Sequence, residues 1–179
     1  MTPSNSANRG SVLLCAVACF AYNHAHAETA TAASEDPCIE KAASVVVLLD
    51  EHVLLLCDSG KTAKEYAVTL GKGGTANKKQ GDNKTPIGTY ALGLPQFSDR
   101  FGIFISVGYP TEPQKQQGYT GQAIGLHGPD RLFTWAGGLN TMIDWTQGCV
   151  VVKSDEAIGE IADWVKSRKV RLVHLVVEH

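Results

Sequence analysis

Three short apolar segments between Ser44 and Leu70 constrain the fold most: SVVVLLDEHVLLLCDSGKTAKEYAVTL. Two β-branched or leucine-rich stretches, 45–49 and 53–57, are separated by Asp50-Glu51-His52, which is hairpin spacing. Asp58-Ser59-Gly60 supplies the next turn, and residues 65–70 (EYAVTL) a third strand. Such a meander predicts an antiparallel sheet rather than βαβ units.

Further strands are expected at 86–94 (PIGTYALGL), at 101–110 (FGIFISVGYP, alternating at Phe101, Ile103, Ile105 and Val107), at the end of AIGLHG, in CVVV and in VRLVHLVV. Residues 71–85 (GKGGTANKKQGDNKT) form a glycine-rich loop too long to be mere connection. Residues 114–122 are read as a polar loop and 129–140 as another, glycine-bearing one. One good helix is predicted: Ser154 as N-cap, Asp155 and Glu156 in the first turn, and Ile158, Ile161, Ala162 and Val165 on one face. The fold class is mainly β with one or two helices. At 179 residues the chain suffices for one domain with a real core, not for two.

The N-terminus reads as an export signal: Arg9, then the apolar stretch 11–22 (SVLLCAVACFAY), then Ala25-His26-Ala27 as a cleavage site. The stretch is too short to span a bilayer, which takes roughly 20 residues. Lipidation at Cys19 is the weaker alternative. We therefore divide the chain into a signal peptide, 1–27, a flexible leader, 28–43, and a folded domain, 44–179. Removing the signal leaves 15 cations against 18 anions, net −3, with the cations scattered. Nucleic acid is not an expected partner, and no transmembrane span is expected in the mature chain. The product is expected to be periplasmic or secreted.

Export gives the cysteines a different meaning. Three remain in the mature chain, Cys38, Cys57 and Cys149, so in an oxidising compartment one thiol is left over. Cys38 and Cys57 flank the first hairpin, and their pairing makes Cys149 the orphan. A thiol of ordinary pKa, about 8.5, is only a few per cent ionised at neutral pH, so a nucleophilic cysteine needs a nearby base or positive field. His52 lies in a turn, His174 mid-strand and His179 at the end. His127 closes an apolar strand before Gly128-Pro129, a break that places its ring at a loop edge. Gly148, lacking a Cβ, lets a carbonyl approach the backbone, and the N–H groups of Gly148 and Cys149 are candidate oxyanion donors. From the residues alone, a Cys149–His127 dyad and an inert buried cysteine both remain open.

No zinc site is expected, since C-x-x-C is absent and His and Cys are dispersed. The glycine-rich loop lacks the order of a phosphate cradle and no helix follows it. No cofactor is expected.

Taken in order, the VVVLLDEHVLLL hairpin, GKGG with KTPIGTY, ISVGYP, IGLHG and DWTQGCVVV resemble the L,D-transpeptidase catalytic domain of the YkuD type, over about three quarters of the chain. His127 in the Ile124–Gly128 stretch and Thr146-Gln147-Gly148-Cys149 fill the places of that family's histidine and [S/T]-x-G-C pattern. The resemblance implies a β-sandwich with the cysteine in a cleft, Cys149 as nucleophile, His127 as base, Gly148 among the oxyanion donors, and Thr146 orienting His127 or the substrate. The implied substrates are peptidoglycan stem peptides. Trp145 is read as a packed core aromatic in preference to a wall of the cleft, and Lys84-Thr85-Pro86 as a structural turn in preference to a substrate contact. Gln147 stands where the family often has a second histidine, and Val151 where a polar residue is common. These departures lean toward the YafK-like subgroup, in which the same nucleophile also serves hydrolysis of wall-linked peptides. A wall-binding module that leaves the cysteine unused is the remaining alternative.

Overall fold

The computed structural model describes residues 36–132 and 143–177. The expected signal peptide, most of the leader and residues 133–140 of the second glycine-bearing loop lie outside the described residues. In chain order the elements are β1 (Ser44–Leu48), β2 (Val53–Asp58), β3 (Lys61–Thr69), β4 (Gly88–Ala91), β5 (Gln96–Ser98), β6 (Gly102–Ser106), α1 (Glu112–Gln116), β7 (Gly125–His127), β8 (Val150–Val152), α2 (Asp155–Ser167) and β9 (Leu172–Val176).

The meander β1–β2–β3 is antiparallel, as its turns require. Both faces of β1 and β2 are covered. Val45, Val47, Leu54 and Leu56 enter the main core, while Val46, Leu48, Leu55 and Cys57 form a second cluster with Cys38. Two-sided burial is why these strands read as continuous apolar runs instead of alternating ones. Cys38 is bonded to Cys57, Cα to Cα 5.2 Å. Asp36 accepts hydrogen bonds from the Thr62 N–H at 2.9 Å and the Thr62 hydroxyl at 2.8 Å. The last part of the expected leader is thus pinned to the sheet.

The strands form one sheet in the order β4-β9-β1-β2-β3-β8-β7-β6-β5. Strand β3 joins its two halves, pairing with β2 along most of its length and with β8 at Val68 and Thr69. The halves meet again where Leu92 bridges Val107: the Gly93 N–H donates to Ser106 O and the Gly108 N–H to Ala91 O, each at 2.8 Å. The sheet therefore curls into a sandwich, and α2 adds Ala157, Ile158, Ile161, Ala162 and Val165 to its main core. Ser154 caps α2, its hydroxyl accepting from the Ala157 N–H at 3.2 Å.

Three expectations are corrected. The sheet is mixed: β9 runs parallel to β1, and β8 parallel to β7. Each of these pairs is linked by chain that crosses over, which a reading of local turns does not see. The polar stretch 114–122 begins with helix α1, whose start is a Thr111–Gln114 capping box with Pro113 in the first turn. Strand β5, three residues long and mostly exposed, was not foreseen. It turns back into β6 and moves Phe101 out of the alternating stripe into the turn between them.

Candidate active site

Strand β7 lies between β6 and β8 with Phe104 opposite His127 and His127 opposite Val151. Leu126 and Ile105 point into the core, so their neighbours His127 and Phe104 occupy the other face. Cys149 immediately precedes β8 and stands two residues from Val151, on the side that His127 faces. Both open into one cleft of about 400 Å³, whose floor and walls include Lys78, Arg100, Phe101, Phe104, Trp145 and Thr146.

His127 is 2% exposed. The Phe101 ring stacks on the imidazole at 3.8 Å between centroids and 25°, and Phe104 lies beyond at 6.0 Å. Nδ1 is 2.7 Å from the Gly128 carbonyl oxygen. A carbonyl only accepts, so the Nδ1 proton is fixed there, and the neutral ring keeps its lone pair on Nε2. Burial drives the imidazole down to about 4. The Gly128 carbonyl opposes that shift, Arg100 adds to it, and Asp130 opposes it. The ring is therefore a neutral base at pH 7.

Cys149 is the free cysteine among the described residues and is half-buried. Burial pushes its thiol above the ordinary range; the Gly125 N–H and the charges of Lys78 and Arg100 pull the other way. The thiol proton is directed at the Ala123 carbonyl oxygen, 3.4 Å from Sγ. In the resting site, thiol and imidazole are both uncharged.

The segment that carries Cys149 is laced along the end of β3. Thr69 Oγ1 donates to Ile143 O and the Leu70 N–H to Asp144 Oδ1, both at 2.8 Å. The Thr146 N–H donates to Leu70 O at 3.1 Å and the Lys72 N–H to Thr146 O at 3.0 Å. His52, in the turn between β1 and β2, places Nε2 3.1 Å from Asp144 Oδ2. Sheet residue His174 has Thr89 Oγ1 3.0 Å from its Nδ1.

Thr146 and Gly148 sit in the site, but the Thr146 hydroxyl and the Gly148 N–H bond within the segment itself rather than to His127. The Thr146 hydroxyl donates to Cys149 O at 2.8 Å and accepts the Gly148 N–H at 3.0 Å. The Gly148 N–H is thus committed to Thr146 and not directed at the cleft. Gly148 matters sterically: its φ is +120°, and a Cβ there would lie 2.4 Å from Lys84 O and 3.1 Å from Lys78 Cε. Lys84-Thr85-Pro86, expected as a turn, is instead extended chain: Thr85 bridges Thr75, and its buried hydroxyl accepts the Gly71 N–H at 2.8 Å. Trp145 lines the cleft and is not the packed core aromatic expected, because the segment carrying it is held outside the sheet.

Sequence reasoning missed Arg100, Phe101, Phe104 and Lys78. Phe104 was legible as the residue opposite His127 only once β6 and β7 were known to pair. Arg100 is anchored to the buried Asp130 carboxylate, with both Nε and a terminal nitrogen 2.7 Å from Oδ2. Nothing local distinguishes Lys78 from Lys79.

A thiol and an oriented neutral imidazole thus line one open cleft on a curled mixed sheet. Residues 42–174 match the L,D-transpeptidase catalytic domain, YkuD, and the chain belongs to that family. Among solved structures, it is similar to the helical cell shape determining protein Pgp2 from Campylobacter jejuni, with 25% identity and a TM-score of 0.61. That match covers 75% of this chain and 47% of Pgp2, so this chain spans about half the length of that relative. Bd1075 from Bdellovibrio bacteriovorus has the same fold, at 24% identity and a TM-score of 0.53 over 74% of this chain and 47% of the other. No curated protein matches the chain.

Proposed function

We propose that the cleft carries out cysteine-dependent acyl transfer on peptidoglycan stem peptides, the L,D-transpeptidase reaction, in an exported protein whose residues 1–27 are removed as a signal peptide. The observation that carries this reading is Cys149, immediately before β8, and His127, on the neighbouring β7, lining one cleft, with the Gly128 carbonyl holding the imidazole in its Nε2-basic tautomer. In this scheme His127 Nε2 takes the Sγ proton. The thiolate attacks the carbonyl carbon of the L-centre before a terminal D-residue, and the tetrahedral intermediate collapses to a thioester. The departing amine of the D-residue receives the proton from the imidazolium, and an acceptor amine then displaces the thioester. Arg100, 62% exposed at the rim, is a cation within reach of a stem-peptide carboxylate. Because the Gly148 N–H is held by Thr146, Gly148 and Thr146 support the turn that presents Cys149; the backbone N–H of Cys149 itself is the oxyanion donor we favour.

A second reading keeps the nucleophile and changes the acceptor to water, giving an L,D-carboxypeptidase or amidase. The likeness to a cell-shape-determining protein favours it, because a wall is reshaped by trimming as well as by crosslinking. Incubating the purified protein with muropeptides and reading product masses separates the two. Dimers mean transfer and shortened stems mean hydrolysis. A mass adduct on Cys149 is expected in both cases. Cys149→Ser is expected to abolish all products with melting nearly unchanged, and undiminished turnover in that variant defeats both readings.

A further inference from the structure

The long glycine-rich loop has one residue whose environment the scheme above leaves unused. The Lys78 side chain is only 4% exposed, although lysine is among the residues least often buried. Its methylene stem passes between two glycines: a Cβ on Gly148 would lie 3.1 Å from Lys78 Cε, and one on Gly121 3.3 Å from it. Gly121 has φ +147° and Gly148 φ +120°, so glycine at both positions opens the slot. At the end of the slot, Nζ donates to Gln147 O at 3.0 Å and to Asp82 Oδ1 at 3.1 Å. Asp82 is itself held by the Lys79 N–H at 2.6 Å and the Lys84 N–H at 3.0 Å. The backbone of Lys78 is clamped by Tyr109, whose hydroxyl accepts the Lys78 N–H at 3.0 Å and donates to Lys78 O.

We propose that Lys78 is a positioning residue for the nucleophile: its ammonium fixes the Gln147–Gly148 peptide and supplies the stationary positive charge that favours the ionised Cys149 sulfur. The inference rests on the acyl-transfer reading of the site. Three features separate this role from simple packing. The ammonium is anchored to the backbone carbonyl two residues before the nucleophile. It lines the cleft into which Cys149 opens. Its two named partners and its burial leave it unsuited to binding a substrate carboxylate, a task better matched to Arg100. The charged and titratable groups that line the cleft with Cys149 are His127 from β7, Arg100 from the turn between β5 and β6, and Lys78 from the loop; behind them, Asp130 pairs with Arg100 and Asp82 with Lys78. Within that set Lys78 is the buried cation and Asp82 its counter-charge. Removing one or the other must move the ionisation of the thiol in opposite directions.

The test is the pH dependence of iodoacetamide alkylation at Cys149, followed by mass mapping of its peptide in the full chain. Lys78→Met is expected to slow alkylation at pH 7.5 by about threefold to tenfold and to move the midpoint of the profile upward. Asp82→Asn, which keeps the ammonium, is expected to move the midpoint downward. A purely structural role for the pair does not produce shifts of opposite sign. Superimposed profiles of wild type and folded Lys78→Met overturn the proposal while leaving acyl transfer intact. Absence of a Cys149 adduct with muropeptides overturns acyl transfer without bearing on the midpoint. Should Lys78→Met not fold, an Asp82→Asn midpoint that stays or rises is decisive against the proposal, and collapse of both variants makes the pair structural and overturns it as well.

Discussion

His127 shows how burial sets the chemistry of a single side chain. Stacked under Phe101 and only 2% exposed, the imidazole is held to about 4, well below its ordinary 6.5. A group whose pKa is depressed by folding binds its proton more readily when unfolded. Its contribution to stability is therefore complete above about pH 6.5, falls as the pH drops toward 4, and levels off below that. The span of the shift corresponds to roughly 3 kcal/mol. Urea unfolding at pH 7.5 and pH 4.5 should show a wild-type loss larger by about that amount than the loss in His127→Gln, the carboxylates contributing equally to both. Equal losses in the two proteins would refute the buried neutral imidazole. Gly148 offers a second residue-level test, since Gly148→Ala forces a Cβ to 2.4 Å from Lys84 O at a φ of +120°. The expected cost is about 2–4 kcal/mol in chemical denaturation, with alkylation at Cys149 altered because the segment must shift.

At the scale of elements, sequence patterns were readable wherever an element's own period decided its form. The β1–β2–β3 meander and α2 follow from hairpin spacing, a Ser154 cap and an apolar stripe that the structure buries. Helix α1 and strand β5 escaped because they bury little and their formation depends on what they lie against. Cys149 and His127 were legible as candidates through their sequence contexts, yet their juxtaposition depends on β7 and β8 being parallel neighbours. Phe101 shows the limit most clearly. Its alternation with Ile103 and Ile105 reads as one core stripe, but the turn between β5 and β6 redirects it onto His127.

Over the whole molecule, two closures tie the sheet together: the Leu92–Val107 bridge that curls it and the Cys38–Cys57 bond that ties residues before β1 to β2. The bond spans 19 residues and lies on the face of β1 and β2 away from the main core. Replacing both cysteines by serine should cost about 3 kcal/mol by the loop-entropy estimate. That loss is read as an earlier urea midpoint, with alkylation at Cys149 unaffected because the bond touches no residue of the cleft. A comparable fall in Cys149 reactivity would instead mean that the staple shapes the active site. By itself, the amino-acid sequence determined the strands of the meander, the long helix, the candidacy of Cys149 and the family to which the chain belongs, because each is written in local spacing and residue type. Only the tertiary structure decided which strands run parallel, that Cys38 is bonded to Cys57, that Trp145 walls the cleft, and that the Lys78 ammonium reaches the Gln147 carbonyl. Those features arise between segments far apart in the chain, where proximity is set by how the sheet curls and no local pattern encodes it.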